Sequence, residues 1–173
     1  GGFDAIVGNP PYVRQESLKE FKEYFSAHYA NVYEGSADLY VYFFEKGLSV
    51  LVPKGRFGFI VSNKFIKAGY GKKLRKYLMA FDIENFISEF ENKVFENAAV
   101  DPCIIIIKKE KSNSSHKILF NNSQEIKQSD LSDSSCTFTD VDSIKLKRKT
   151  ENIGKKIKDW KDVEIYFGIK SGL

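Results

Sequence analysis

FDAIVGNPPYV, residues 3–13, decides how the rest of the chain is read. A short apolar run ends in a glycine, an asparagine and two prolines, the pattern of a buried strand that stops abruptly in a stiff loop. Outward from it, SLKEFKEYFSAHY from Ser17 to Tyr29 has helical spacing, and ADLYVYFFEKGLSVL from Ala37 to Leu51 predicts a second helix with aromatic side chains on its buried face. Pro53, Lys54 and Gly55 read as a turn, and RFGFIVSN, residues 56–63, is a second apolar run of strand length. A helix between two such strands predicts a right-handed βαβ unit with parallel pairing, and hence an α/β, Rossmann-like sheet.

Further on, GYGKKLRKYLMAF from Gly69 to Phe81 predicts a glycine turn leading into a basic amphipathic helix. ENFISEF and CIIIIKK then read as two strands joined by the loop NKVFENAAVDP, a hairpin closing one edge of the sheet. The expected strands lie near residues 3–8, 56–62, 84–90 and 102–108, the first two parallel and the last two an antiparallel pair. From Lys111 to about Ser135, Ser, Asn, Asp and Lys dominate around the weak strand candidate KILF. This divides the chain into residues 1–110, from the Asn-Pro-Pro-Tyr loop to the closing hairpin, and residues 111–173, a polar excursion and linker. The latter carries the helix candidate ENIGKKIKDW and the strand candidate VEIYFGIKSGL, which reads as cut off at its end.

Composition narrows the class. A chain of 173 residues with 42% hydrophobic side chains can bury one core of ordinary size. No apolar run approaches the roughly 20 residues of a membrane span, and the first residues lack a secretion signal. Cys103 and Cys136 have no partner spacing and His28 and His116 stand alone, so neither a disulfide framework nor a metal is expected, and a reducing cytoplasm fits. The formal net charge of +4 helps approach to phosphates without identifying a nucleic-acid binder, and the cluster Lys145, Lys147, Arg148 and Lys149 reads first as a solvated face.

The tetrad Asn9, Pro10, Pro11, Tyr12 has the parts needed to methylate an amine. An exocyclic amino nitrogen such as adenine N6 delocalises its lone pair into the ring and is a poor nucleophile until two acceptors bind its hydrogens and reorient it. The Asn9 side-chain oxygen is one candidate acceptor. The Pro10 carbonyl is the second, because Pro11 restricts the residue before it to extended geometry and the two rings stiffen the loop. Tyr12 offers an aromatic face for a base taken out of the duplex. The plain alternative is a turn that closes a strand.

FDAIVGNPPYV resembles the catalytic strand and loop of the S-adenosylmethionine-dependent amino-methyltransferases, whose motif is Asp or Asn, two prolines and an aromatic residue. ADLYVYFFEKGLSVLVPKGRFGFIVSNKF resembles the family's next helix and strand, and AGYGKKLRKYL the following loop and helix of its type IIG restriction-modification members, so that the resemblance covers residues 3–109. It implies an N6-adenine DNA methyltransferase of the gamma class, using S-adenosyl-L-methionine and acting on double-stranded DNA with one flipped adenine. Within ENKVFENAAVDPCIIIIKK it implies that Phe95 packs against the extruded base beside Tyr12. It also implies that Asn9 and Phe43 lie next to the cofactor, although a phenylalanine on an amphipathic helix is more often core. The family's glycine-rich cofactor loop precedes the Asn-Pro-Pro-Tyr strand and has no counterpart here. The resemblance thus implies the catalytic half of a longer polypeptide, with or without a nuclease domain, whose ending GIKSGL resembles the start of a target-recognition domain; activity of this half alone is not expected.

Other readings compete. The same tetrad serves a protein glutamine or an RNA amino group, and a non-catalytic DNA-binding or specificity module could keep the fold. Gly69, Tyr70, Gly71 and Lys72 pass for a phosphate cradle only weakly. Asp82, Glu91 and Lys93 have a metal-nuclease spacing that is common by chance, and Asp38 reads as a helix N-cap with no chemistry.

Overall fold

A computed structural model describes residues 1–90, 92, 94, 101–131, 146, 149, 150, 153–155, 160 and 161. The chain forms two units, Gly1–Phe138 and Thr139–Leu173. In the second, Leu146, Lys149, Thr150 and Ile153 are helical.

Among the described residues the first unit is one mixed sheet of six strands, β1 (Phe3–Gly8), β2 (Leu51–Ser62), β3 (Phe81–Ile87), β4 (Pro102–Lys111), β5 (Lys117–Phe120) and β6 (Gln124–Lys127), in the order β1-β2-β4-β3-β5-β6. β1 (Phe3–Gly8) lies parallel to β2 (Leu51–Ser62), with Ile6 opposite Phe57 and Gly8 opposite Phe59, and helix α2 (Tyr40–Val50) makes the crossover. β4 (Pro102–Lys111) runs antiparallel to both β2 and β3 (Phe81–Ile87). The parallel pair and the antiparallel hairpin are those read from the sequence.

Four local expectations change. Pro53–Gly55 is not a turn before a strand: β2 starts at Leu51, and the pairing steps from Phe3–Leu51 to Ala5–Arg56, leaving the intervening residues as a bulge with Lys54 at φ 67°. Pro53 has no N–H to give a ladder, so these residues leave the pairing without losing that bond. β3 begins three residues before the predicted 84–90 and stops at Ile87, because the backbone N–H groups of Ser88 and Glu89 donate instead to the Asn121 side chain at 2.8 and 3.3 Å. The predicted helix from Ser17 to Tyr29 divides into a 3₁₀ segment, Gln15–Phe21, and helix α1, Lys22–His28, burying Leu18 and Phe25.

The hairpin does not close the edge. β4 lies between β2 and β3, and the sheet continues through β5 (Lys117–Phe120), parallel to β3, and β6 (Gln124–Lys127), antiparallel to β5. A division after residue 110 therefore falls inside a continuous sheet. The missed signal is short: Ile118, Phe120 and Ile126 are buried, and Asn121 and Asn122 make the reversal at φ 45° and 56°, a conformation asparagine tolerates. Gln128, also buried, accepts from the Ile83 N–H at 3.0 Å and donates to the Phe81 carbonyl at 2.7 Å, fastening the chain after β6 to β3.

The core lies on one side of the sheet. Phe57, Phe59, Ile105 and Ile107 share that side and are buried, and Tyr40, Val41, Phe44 and Leu48 of α2 are buried with them. Phe44 meets Phe57 and Phe59 with ring centroids 5.4 Å apart in both cases. The other side, with Val7, Gly58, Ile60, Ile104 and Ile106, is at least partly open, Val7 to 87%. Helix α1 is held on α2 by Phe25 stacked on Tyr42, centroids 4.1 Å apart and planes 5° from parallel. The buried Glu45 carboxylate ties the following loop down by accepting from Asn31 Nδ2 at 2.6 Å and the Val32 N–H at 3.1 Å.

Two glycines set close approaches. A Cβ on Gly47 would lie 2.4 Å from the Phe57 ring, and one on Gly71 would lie 1.9 Å from the Phe65 carbonyl oxygen. Gly71 starts helix α4 (Gly71–Leu78), which packs on the short helix α3 (Lys64–Lys67), and buried Arg75 donates to the carbonyls of Phe65 and Ala68 at 2.5 and 3.1 Å. Gly47→Ala and Gly71→Ala should each cost about 1–3 kcal/mol, because well-packed sites respond to an added carbon by strain. Urea titration will show a lower midpoint for each; an unchanged midpoint would mean that these approaches are not close.

Candidate active site

Because β1 and β2 are parallel, both deliver the chain to the same end of the sheet, and Asn9 follows β1 there. Gly8 fits beside Phe59, whose Cε1 would stand 3.0 Å from a Cβ at that position. Asn9 is exposed, Pro10 is buried, Pro11 is exposed and Tyr12 is half-buried. The loop thus leaves Asn9 exposed while Pro10 is buried. Tyr12 meets Tyr40 edge to face, with centroids 6.2 Å apart and planes at 85°, and no ring stacks on it among the described residues. Its hydroxyl is buried and has no hydrogen-bond partner among those residues. Burial, with a smaller contribution from Cys103, raises its pKa above the ordinary phenol value, so Tyr12 is a neutral aromatic surface at physiological pH.

A polar brace holds the far side of this loop. The Leu39 N–H donates to the Val13 carbonyl at 2.9 Å, and the Asp38 carboxylate accepts from the Gln15 N–H at 3.3 Å and the Tyr70 hydroxyl at 3.4 Å. With the Tyr70 proton directed at Asp38, the buried Tyr40 hydroxyl donates to Tyr70 across 3.1 Å. Burial lifts both phenols, Tyr40 far above its ordinary range, and both stay protonated donors. Asp38 is therefore not the N-cap that its place suggested: Leu39 occupies the cap position and makes no side-chain cap bond. Sequence reading missed Asp38, Tyr40 and Tyr70 as a set, since partners 32 and 30 residues apart leave no local pattern.

Phe43 lies on α2 between buried Tyr42 and Phe44 but is 39% exposed, so it is not a core residue of this unit. Phe95, Glu91 and Lys93 lie outside the described residues. Asp82, the remaining member of the nuclease spacing, is buried with a carboxylate oxygen 3.5 Å from His116 Nδ1, while His116 Nε2 faces the Ile83 carbonyl at 2.9 Å. Cys103 is buried and free, its thiol pushed up to about 12 by burial. Among the described residues no three His, Cys, Asp or Glu side chains group as a metal site would, and no helix is long and apolar enough to cross a membrane.

The chain is 39% identical over 109 residues to the type II methyltransferase M.BstVI of Geobacillus stearothermophilus, covering 61% of this chain and 19% of that protein. It is 34% identical over 113 residues to the type II restriction enzyme and methyltransferase RM.Eco57I of Escherichia coli, covering 62% of this chain and 11% of that one. The chain thus spans no more than about a fifth of these relatives. In fold it is similar to a class I S-adenosylmethionine-dependent methyltransferase from Listeria monocytogenes, with a TM-score of 0.54 at 19% identity over 70% of this chain and 38% of that one. The type IIL restriction-modification enzyme MmeI, solved in complex with DNA, gives 0.52 at 19% identity over 71% and 18%. The α/β architecture is therefore the Rossmann-like one of the class I methyltransferases. The match to the family model covers residues 1–95, from the start of β1 past the end of β3, and on it the chain belongs to the Eco57I restriction-modification methylase family.

Proposed function

We propose that this chain is the target-base half of a DNA methyltransferase that methylates N6 of an adenine turned out of double-stranded DNA, in a cytoplasmic restriction-modification system. The observation that carries the reading is exposed Asn9 at the carboxyl end of β1, on a loop with Pro10 buried and followed by a neutral tyrosine on which no ring stacks among the described residues. Membership of a restriction-modification methylase family, and the likeness in fold to MmeI, solved in complex with DNA, support DNA as the substrate.

In this reading the Asn9 side-chain oxygen and the Pro10 carbonyl each accept one N6 hydrogen. That draws the nitrogen lone pair out of conjugation and toward an incoming methyl group. N6 carries positive charge as the new C–N bond forms, the two oxygens stabilise it, and one N6 proton then leaves along the hydrogen bond to solvent. No titrating base takes part. Tyr12 and Phe95 would hold the base between aromatic faces.

S-adenosyl-L-methionine would supply an electrophilic methyl group when bound, its sulfonium sulfur keeping the electron pair of the C–S bond that breaks. The residues fit it in part: exposed Asn9 and the exposed Phe43 ring are a hydrogen-bonding group and an apolar surface left unused by the core. They would touch it, with the remainder of its site on other segments of the protein.

In the full-length protein, Asn9→Ala should slow methyl transfer on the order of a hundredfold or more with little loss of DNA affinity, as removal of one preorganised charge-stabilising group does. Tyr12→Ala should instead weaken capture of the base by about 1–3 kcal/mol. Fluorescence of 2-aminopurine at the target position reports capture and labelled methyl incorporation reports chemistry. Wild-type methylation by Asn9→Ala would refute the proposed activation and leave a non-catalytic DNA-binding module as the better reading.

The pH response is a second test. Tyr12, Tyr40 and Tyr70 all have pKa values raised in the folded state, so their contribution to stability is complete below the unfolded value near 10 and fades as pH rises through the higher folded values. The proposed chemistry uses no titrating base and the Tyr40 and Tyr70 phenols stay protonated, so the single-turnover rate should be flat between about pH 6 and 9. A bell-shaped profile in that window would show a general base that this mechanism lacks.

A further inference from the structure

The chain's positive charge is unevenly placed. Residues 64–80 contain six of the 27 Lys and Arg and none of the 23 Asp and Glu, leaving the rest of the chain at a formal net charge of −2. α3, α4 and the turn between them thus carry six cations with no acidic residue among them. On the strands, among the described residues, opposite charges meet, as in Arg56–Glu84, Lys108–Glu110 and Lys117–Glu125. Of the six cations in residues 64–80, only Arg75 is taken up by the fold, buried against the Phe65 and Ala68 carbonyls. Lys64, Lys67, Lys72, Lys73 and Lys76 are all exposed, and none forms an ion pair with a described residue.

Stability does not explain this arrangement. Lys72 and Lys73 stand in the first turn of α4, which has no acidic residue, and cations at a helix N-terminus oppose the helix dipole. A face serving only solubility would mix signs. The position also matters. β2 ends at Ser62, at the end of the sheet that carries Asn9, and leads directly into α3. The Tyr70 hydroxyl, one residue before α4, reaches the Asp38 carboxylate that also holds Gln15. Gly71 packed on the Phe65 carbonyl fixes α4 against α3, so the lysines are carried on a rigid support attached to the Asn9 loop.

We infer that the exposed lysines of α3 and α4 form a phosphate-binding surface that holds the DNA backbone beside the Asn9 loop. This rests on the proposed action on DNA and adds the surface that positions it. Binding of this kind carries no base information and acts on any duplex.

The test uses the full-length protein and a mixed-sequence duplex. Affinity is measured as a function of salt for the wild type, for the combined Lys67→Ala, Lys72→Ala, Lys73→Ala variant, and for Lys46→Ala, an exposed lysine on α2 outside the segment. The triple variant should bind at least about tenfold more weakly at low salt, with the slope of log K against log salt reduced by about one for each lysine–phosphate pair removed. Lys46→Ala should keep the wild-type slope. An unchanged slope in the triple variant, or a weakening confined to one DNA sequence, would overturn the assignment. The reaction is tested separately: methylation by the wild type with no salt effect in the triple variant removes this surface and leaves the reaction. A reduced slope without methyl transfer by the wild type supports the surface and counts against the reaction.

Discussion

Parallel pairing of β1 with β2 is the constraint on which the rest of this molecule depends. Two parallel strands release the chain at the same end of a sheet and need a crossover to do it. Here the crossover is α2, and the release points are Asn9 and Asn63. The Asn9 loop and a basic helical segment, distant in sequence, are therefore neighbours at one rim. Exchange of the pairing for an antiparallel one would send Asn63 to the opposite end.

Packing beneath that rim explains its stiffness. Tyr40 begins α2, is buried, meets Tyr12 by its ring and reaches Tyr70 by its hydroxyl. The Asp38 carboxylate completes the connection to the loop backbone at Gln15. Burial keeps the Tyr40 and Tyr70 phenols of this connected set neutral near physiological pH, and the Asp38 carboxylate accepts from two donors, the Gln15 N–H and the Tyr70 hydroxyl. A mechanism relying on placed acceptors instead of a base needs this kind of support, because its rate advantage comes from groups that do not reorganise during the reaction.

Much of this was legible in the sequence, for identifiable reasons. The βαβ unit announced itself because FDAIVG and RFGFIVSN are continuously apolar and ADLYVYFFEKGLSVL is periodic. The tetrad announced itself because two prolines after an asparagine are a local pattern with local chemistry. The β5–β6 hairpin was hidden because KILF and QEIK are four residues each among polar neighbours, and their pairing turns on left-handed Asn121 and Asn122. The bulge at Pro53–Gly55 resembles a turn by composition. The brace of Asp38, Tyr40 and Tyr70 had no local mark at all, since what joins its members is tertiary structure. Phe95 was named by resemblance and lies outside the described residues.

Action of the Asn9 loop on the N6 amino group of adenine is the central claim, and the identity of the methylated base tests it most directly. DNA treated with the full-length protein and labelled S-adenosyl-L-methionine can be digested to nucleosides and the label located by mass spectrometry. N6-methyladenine is the labelled nucleoside expected. Label on cytosine, or recovery of methylated protein or RNA with none on DNA, would contradict the claim.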